Sequence, residues 1–217
     1  MGSLFLINFF RRRRNLRSAL TLAAGLLLGG TGAFATTVEP PTFDELVNQS
    51  DFVVRAVVKS VVAESRLTPA GTRTIFSKVE LEVKEVVAGR APAIVVLDVL
   101  GGTLDGRQLA IEGAPTFTPG DDGIFFVQGN TKQIFPLVRM MFGLYPVMKD
   151  GRTGQEYMIR SDGEPLVDVK QVSREMPASS TSAELNAQIA RAMTPADFVT
   201  KIRAAAHAPH LVEHHLL

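Results

Sequence analysis

The chain has no cysteine, no tryptophan and only two tyrosines among its 217 residues. Without cysteine there can be no disulfide staple, no thiolate metal site and no cysteine nucleophile, so packing alone must hold the fold. Histidine is nearly as scarce. The four present, His207, His210, His214 and His215, fall in the last eleven residues. A Ser-His-Asp triad or a histidine zinc site built from earlier residues is therefore excluded. In the tail, His207, His210 and His214 share one helical face with Glu213, a spacing that suits a metal. Pro209 interrupts that helix, and a frayed terminus is the plainer reading, so no metal is expected. No glycine-rich loop opens a helix, because Gly101-Gly102 runs into Thr103-Leu104, and no nucleotide or other cofactor is implied.

Long apolar runs are also lacking. The longest follows Arg11, Arg12, Arg13, Arg14 and Arg17 and extends from Ser18 to Leu28, shorter than the roughly 20 residues a spanning helix needs. A basic block, an apolar stretch and the small-residue pattern Ala33-Phe34-Ala35 are the three parts of a secretory signal peptide. Residues 1–35 are expected to be the leader, cut after Ala35 so that Thr36 becomes the first residue. The competing reading is a retained anchor, since Leu4, Phe5, Leu6 and Ile7 add an apolar patch before the arginines. Cleavage leaves 18 basic against 22 acidic residues, a net charge of about −4. That balance disfavours nucleic acid and anionic lipid as partners. A protein or glycan of the envelope is the expected partner, met in the periplasm or outside the cell with no stable membrane anchor.

What remains reads as mainly β. Thr42-Phe43-Asp44-Glu45 is a capping box for a short helix at 42–49. Phe52–Ala63 is β-branched, with Phe52, Val54, Ala56 and Val58 on one face and Arg55 and Lys59 on the other. At 73–87 the alternation is clear: Ile75, Val79, Leu81 and Val83 face one way, Thr74, Lys78, Glu80, Glu82 and Lys84 the other. Ile94–Leu100 is almost continuously apolar, which predicts a central or doubly covered strand. Gly101-Gly102 predicts a bulge or bend, and Asp105-Gly106 a two-residue hairpin returning through 107–112. Pro119-Gly120 suits a type II turn closing the loop 113–121. Strands at 123–128, 144–148 and 156–160 follow, with an apolar piece at 134–141 and turns at 150–154 and at Asp162-Gly163. After a polar linker at 177–182, Thr181–Glu184 opens a helix bearing Leu185, Ile189 and Met193. Thr194-Pro195 opens a second helix, bearing Phe198 and Ile202. The expected fold is a small antiparallel OB-like β-barrel with a short N-terminal helix and C-terminal helices. Its parts are the leader at 1–35, the barrel at 36–170, and the linker and helical tail at 171–217.

Phe43–Val47 leading to Ser50–Val54, then Glu85–Gly89, Gly101-Gly102, Gly113–Phe117 with Gly120-Asp121, and Phe126-Val127, resemble a group of exported bacterial proteins. The order of short helix, long strands and closing loop is similar to the OB-type barrel of tissue inhibitors of metalloproteinases and netrin modules. The likeness covers about 42–165 and implies the fold. Those inhibitors chelate zinc through an N-terminal cysteine, and Thr36-Thr37 stand at that place here, so inhibition by that route is excluded.

The ligand-contact candidates are Pro115, Thr116, Phe117 and Thr118, a stiff loop with one aromatic at a barrel rim; the bland alternative is Phe117 turned inward as a plug. Met140, Met141, Met148 and Met158 read as core fillers before they read as a groove. No catalytic set converges, so the expected function is an exported, non-catalytic binding or interaction module. The alternative is a hydrolase of envelope or extracellular polymer using two carboxylates among Asp98, Asp105, Glu112, Asp121 and Asp122. Of these only Asp98, within an apolar run, lacks a turn or strand-end explanation, and an outward-facing position would account for it.

Overall fold

The computed structural model describes residues 39–68, 71–173 and 182–207. The expected leader with Ala33, Ala35 and Thr36, most of the linker with Thr181, and His210, His214 and His215 lie outside the described residues.

Helix α1, Phe43–Asn48, begins where its capping box lies: the Glu45 amide donates to Thr42 Oγ1 at 3.2 Å and the Thr42 amide to Glu45 Oε2 at 2.7 Å. Six strands then build one sheet: β1 (Phe52–Leu67), β2 (Arg73–Gly89), β3 (Ile94–Leu100), β6 (Asp122–Val127), β7 (Leu144–Lys149) and β8 (Glu156–Met158). A separate hairpin, β4 (Gly102–Leu104) and β5 (Arg107–Leu109), turns at Asp105-Gly106 with both φ positive, at 50° and 74°. Positive φ at both positions is what a type I′ turn requires. The sheet order is β3-β2-β1-β6-β7-β8, and every pairing is antiparallel. No ladder joins β3 to β8 among the described residues.

The long β1–β2 ribbon carries three register shifts, at Val53/Val54, Arg55/Ala56 and Val58/Ser60. Bulges bend a ribbon and strengthen its twist, and β3 and β6, with two strands between them in the sheet, contribute Val95, Leu97, Val99, Phe125 and Val127 to one inner-face core. The expected faces hold along the ribbon: Val54, Ala56, Val58, Val79 and Leu81 are buried, while Lys59 and Lys78 are exposed.

Strand β3 departs from the expectation of a central or doubly covered strand. It is an edge, and its burial alternates, with Ile94 and Val96 left 45% and 43% exposed. The segment after β6 screens that edge: Asn130 Nδ2 donates to the Val96 carbonyl at 3.0 Å, and the Leu100 amide to the Ile134 carbonyl at 3.0 Å. Covered edges offer less template for wrong pairing. The returning strand of the hairpin is also shorter than expected, ending at Leu109 rather than at 112.

The outer face of the sheet is covered at one end by α1 and by helix α3, Pro195–Ala206, whose Thr194 cap accepts from the Asp197 amide at 3.2 Å. Leu46, Val53, Val87, Phe126, Phe198 and Ile202 form this second core. Full burial of an aromatic of this size stabilises by about 1.5–3 kcal/mol. Val172, Phe198, Val199 and Ile202, from the expected linker and tail, belong to the same core as α1 and β6. Helix α2, Ser182–Ile189, leads to Met193, which pairs with the far edge of the sheet: the Met158 amide donates to the Met193 carbonyl at 2.9 Å, and the Met193 amide to the Leu166 carbonyl at 2.8 Å. Among the described helices none is long and apolar enough to cross a membrane.

Candidate functional site

Past Val58 the inner face of the β1–β2 ribbon runs outward as cross-strand pairs: Val61 with Val79, Ala63 with Ser77, Ser65 with Ile75 and Leu67 with Arg73. The β4–β5 hairpin lies across this strip. Its entry continues the β2–β3 ladder by one bond, the Gly101 amide to the Ile75 carbonyl at 2.9 Å, while Ser77 Oγ donates to the Gly101 carbonyl at 2.7 Å. Gly101 and Gly102 hold φ of +110° and +131°. A side chain on Gly102 would collide with the Ser77 hydroxyl. The glycine doublet therefore seats the hairpin backbone directly on the ribbon.

Between the seated hairpin and the loop that follows it opens a cleft of about 360 Å³. Val61, Ala63 and Ser77 form its floor, Gly101–Thr103 and Gln108–Ile111 one wall, and Ala114–Phe117 the other. Three of the four loop residues singled out from the sequence, Pro115, Thr116 and Phe117, are in this wall. Thr118 is not, since it builds the turn: its amide donates to Asp121 Oδ2 at 2.8 Å and its carbonyl accepts from the Asp121 amide at 3.0 Å, with Gly120 at φ +100°. Phe117 is half-buried and packs on the inner core, so its ring faces inward and forms part of the cleft wall. Beneath it a narrower apolar pocket is lined by Val99, Phe117, Phe135, Leu137 and Met140.

Among the described residues, no acidic, basic or imidazole side chain lines the cleft. Ser77 is its buried hydroxyl, and that hydroxyl donates to a backbone carbonyl. The carboxylates considered for acid–base chemistry lie elsewhere. Asp98 faces outward on β3 and is gripped by both terminal nitrogens of Arg66, which stacks over Phe76 at 4.5 Å. The same guanidinium bonds Glu64 and holds its carboxyl below the usual range. Asp122 and Glu156 both bond Arg55, at 2.7 and 3.0 Å, in a half-buried triad that ties β1, β6 and β8 together. Asp105 occupies its turn, Asp121 caps the loop, and Glu112 is exposed. Among the described residues no three of His, Asp and Glu converge as metal ligands. His207 caps the C-terminus of α3.

The methionines divide. Met158 is fully buried in the outer-face core, Met148 is 43% exposed, and Met140 and Met141 are half-buried near the cleft. Sequence reasoning missed the floor of the site, Ala63 and Ser77, and the wall at Gln108. The signal that pointed to it was the Gly101-Gly102 doublet, a mark of close backbone approach.

Fold and cleft together define a mainly β, antiparallel domain with a cleft lined by uncharged side chains at one end of the β1–β2 ribbon. No protein-family model matches the chain, and no curated protein shows significant similarity to it.

Proposed function

We propose that this chain is an exported, non-catalytic binding module that takes an uncharged, apolar part of its ligand into the cleft beneath the β4–β5 hairpin. The carrying observation is the lining itself: apolar side chains, hydroxyls and one amide, with no ionisable group among the described residues to move a proton. Concave, mostly apolar sites with a few polar groups are the usual form of small-ligand sites. Supporting export are the arginine block at 11–14, the apolar stretch from Ser18 to Leu28 and the Ala33-Phe34-Ala35 pattern, and an exported chain meets its ligand in the envelope or outside it. We read the six-stranded sheet as a curled, OB-type barrel left open between β3 and β8. Supporting this are the inner core shared by β3 and β6 and the two hydrogen bonds from β3 to the segment 130–134. The similarity to the inhibitor and netrin barrels rests on the same order of elements.

The test is site-specific photo-crosslinking in the envelope of the producing cell. A photoreactive residue at Thr116, in the cleft wall, should capture one dominant species that the same residue at exposed Lys170 does not, and Ala63→Leu, which fills the floor, should abolish it. Equal capture from both positions, or capture at Thr116 that survives Ala63→Leu, would refute the proposal.

A further inference from the structure

Beyond Ser77 the inner strip of the ribbon continues under the hairpin and emerges on its other side. There a second cleft, of about 590 Å³, is lined by Ser65, Thr74, Ile75 and Leu109 and by two arginines, Arg73 and Arg107. Arg73 is the first residue of β2 and Arg107 the first of β5, so the two hairpins bring separate guanidinium groups to one opening. Both are exposed, and neither makes an ion pair among the described residues, although Asp105 lines the same cleft. The other arginines of the ribbon behave differently. Arg55 and Arg66 each hold two carboxylates. From Thr36 onward acidic residues outnumber basic ones, so two unengaged guanidinium groups facing one cleft stand out against the charge of the chain.

Leu109 lines both clefts, so the uncharged cleft and the arginine cleft adjoin across one side chain. Guanidinium groups bind carboxylate and phosphate oxygens through paired N–H donors, and the Ser65 hydroxyl adds a further donor. We infer that the ligand is an amphipathic anion, its apolar portion lying along Phe117 and Ala63 and its oxyanion held between Arg73 and Arg107. This inference rests on the binding reading above and adds to it the charge and polarity of the ligand.

The experiment is an NMR titration of the 15N-labelled protein with three chain-matched probes, decanoate and decyl phosphate below their micelle concentrations and decanol below its solubility limit. Decanoate or decyl phosphate should shift amides on both sides of the hairpin, Ala63 and Thr116 on one and Thr74 and Arg107 on the other. It should also bind about tenfold tighter than decanol, the scale of one charge-assisted contact. Whichever anion binds tighter names the headgroup. R73Q/R107Q should lower the anion affinity to that of decanol and leave decanol binding unchanged. If decanol and the anions bind alike, or if R73Q/R107Q binds the anions as the parent does, the oxyanion site is wrong while the apolar cleft stands. If no probe moves a cleft amide, both fall.

Discussion

Gly102 rests so closely on Ser77 that the hairpin β4–β5 is seated on the ribbon by backbone, with no room for a β-carbon between them. The φ of +131° at Gly102 reinforces this, since L-residues avoid that region. Gly102→Ala should cost at least the roughly 1–3 kcal/mol of a strained backbone, with the displacement of the Ser77 hydroxyl added. Once that oxygen is removed, the nearest remaining atoms lie at 3.6 Å, an ordinary contact. Ser77→Ala in the Gly102→Ala background should therefore recover part of the loss, although on its own it leaves the Gly101 carbonyl without its donor. Urea denaturation of the two single variants and the double variant gives the coupling, expected to be favourable and about 1 kcal/mol. Additive losses would mean that the contact does not seat the hairpin.

Phe198 is fully buried among Phe43, Phe126 and Tyr145, at ring separations of 6.0, 6.1 and 5.1 Å. It joins α3 to α1, β6 and β7 in one contact set. Phe198→Ala should cost about 3–5 kcal/mol, the range for deleting a large aromatic from a closed core. The unfolding transition should stay single, because the helix belongs to the core of the sheet. A loss below about 0.5 kcal/mol, the scale of ordinary surface changes, would separate the tail from that core.

Much of this was legible from local pattern. Thr42 and Glu45 announce a capping box, Asp105-Gly106 a tight turn, and Ile75, Val79 and Leu81 a wetted strand, because each depends on neighbours within a few residues. The place of β3 was not legible. Its outward Ile94 and Val96 are apolar, so the run looks doubly covered, and only the long-range approach of Asn130 and Ile134 explains how such residues are tolerated at an edge. The cleft was half legible. Pro115–Phe117 stand out as a stiff loop, but Ala63 and Ser77 are unremarkable strand residues until β1 and β2 pair and the hairpin folds back over them. Arg73 and Arg107 are single charges at strand starts, brought to one opening by the fold alone.

On the outer face of the ribbon, Glu82 sits between Lys59 and Lys84, at 2.8 and 2.6 Å, and the hydrogen bonds to these two ammonium groups, with their charge, pull its pKa from 4.5 to about 2. A carboxylate whose folded pKa lies below its unfolded value adds stability that is complete above the unfolded pKa and is lost as pH falls through the folded one. The contribution of Glu82 should accordingly be present above pH 4.5 and fade between pH 4.5 and about 2. Glu82→Gln should flatten the acid limb of the stability–pH curve in that window and change little at neutral pH. Because the cluster faces water, molar salt should shrink the difference. A Glu82→Gln curve parallel to the parent's through the acid limb would show that the pairings carry no stability.

The alkaline limb should belong in part to Tyr145. Burial pushes its phenol well above the ordinary value of 10.0; the Arg160 cation offsets some of that and the Asp162 carboxylate adds to it. Here the neutral form is the folded one. A phenol whose pKa is raised on folding contributes stability that is whole below the unfolded pKa and is lost as pH climbs towards the folded value. Its ring packs edge-on to Phe126 at 5.7 Å, a contact that phenylalanine preserves. Tyr145→Phe should therefore match the parent at pH 7 within about 1 kcal/mol, as for replacements that keep core volume. It should become relatively more stable above pH 10, where the parent begins to gain by unfolding and releasing the phenolic proton. Lysines also lose charge in this range, so the quantity to follow is the difference between the two urea midpoints at each pH. A difference that stays constant from pH 7 to 12 would mean that Tyr145 ionises as readily in the folded chain as in the unfolded one, and that the packing of β7 against α3 leaves water at its hydroxyl.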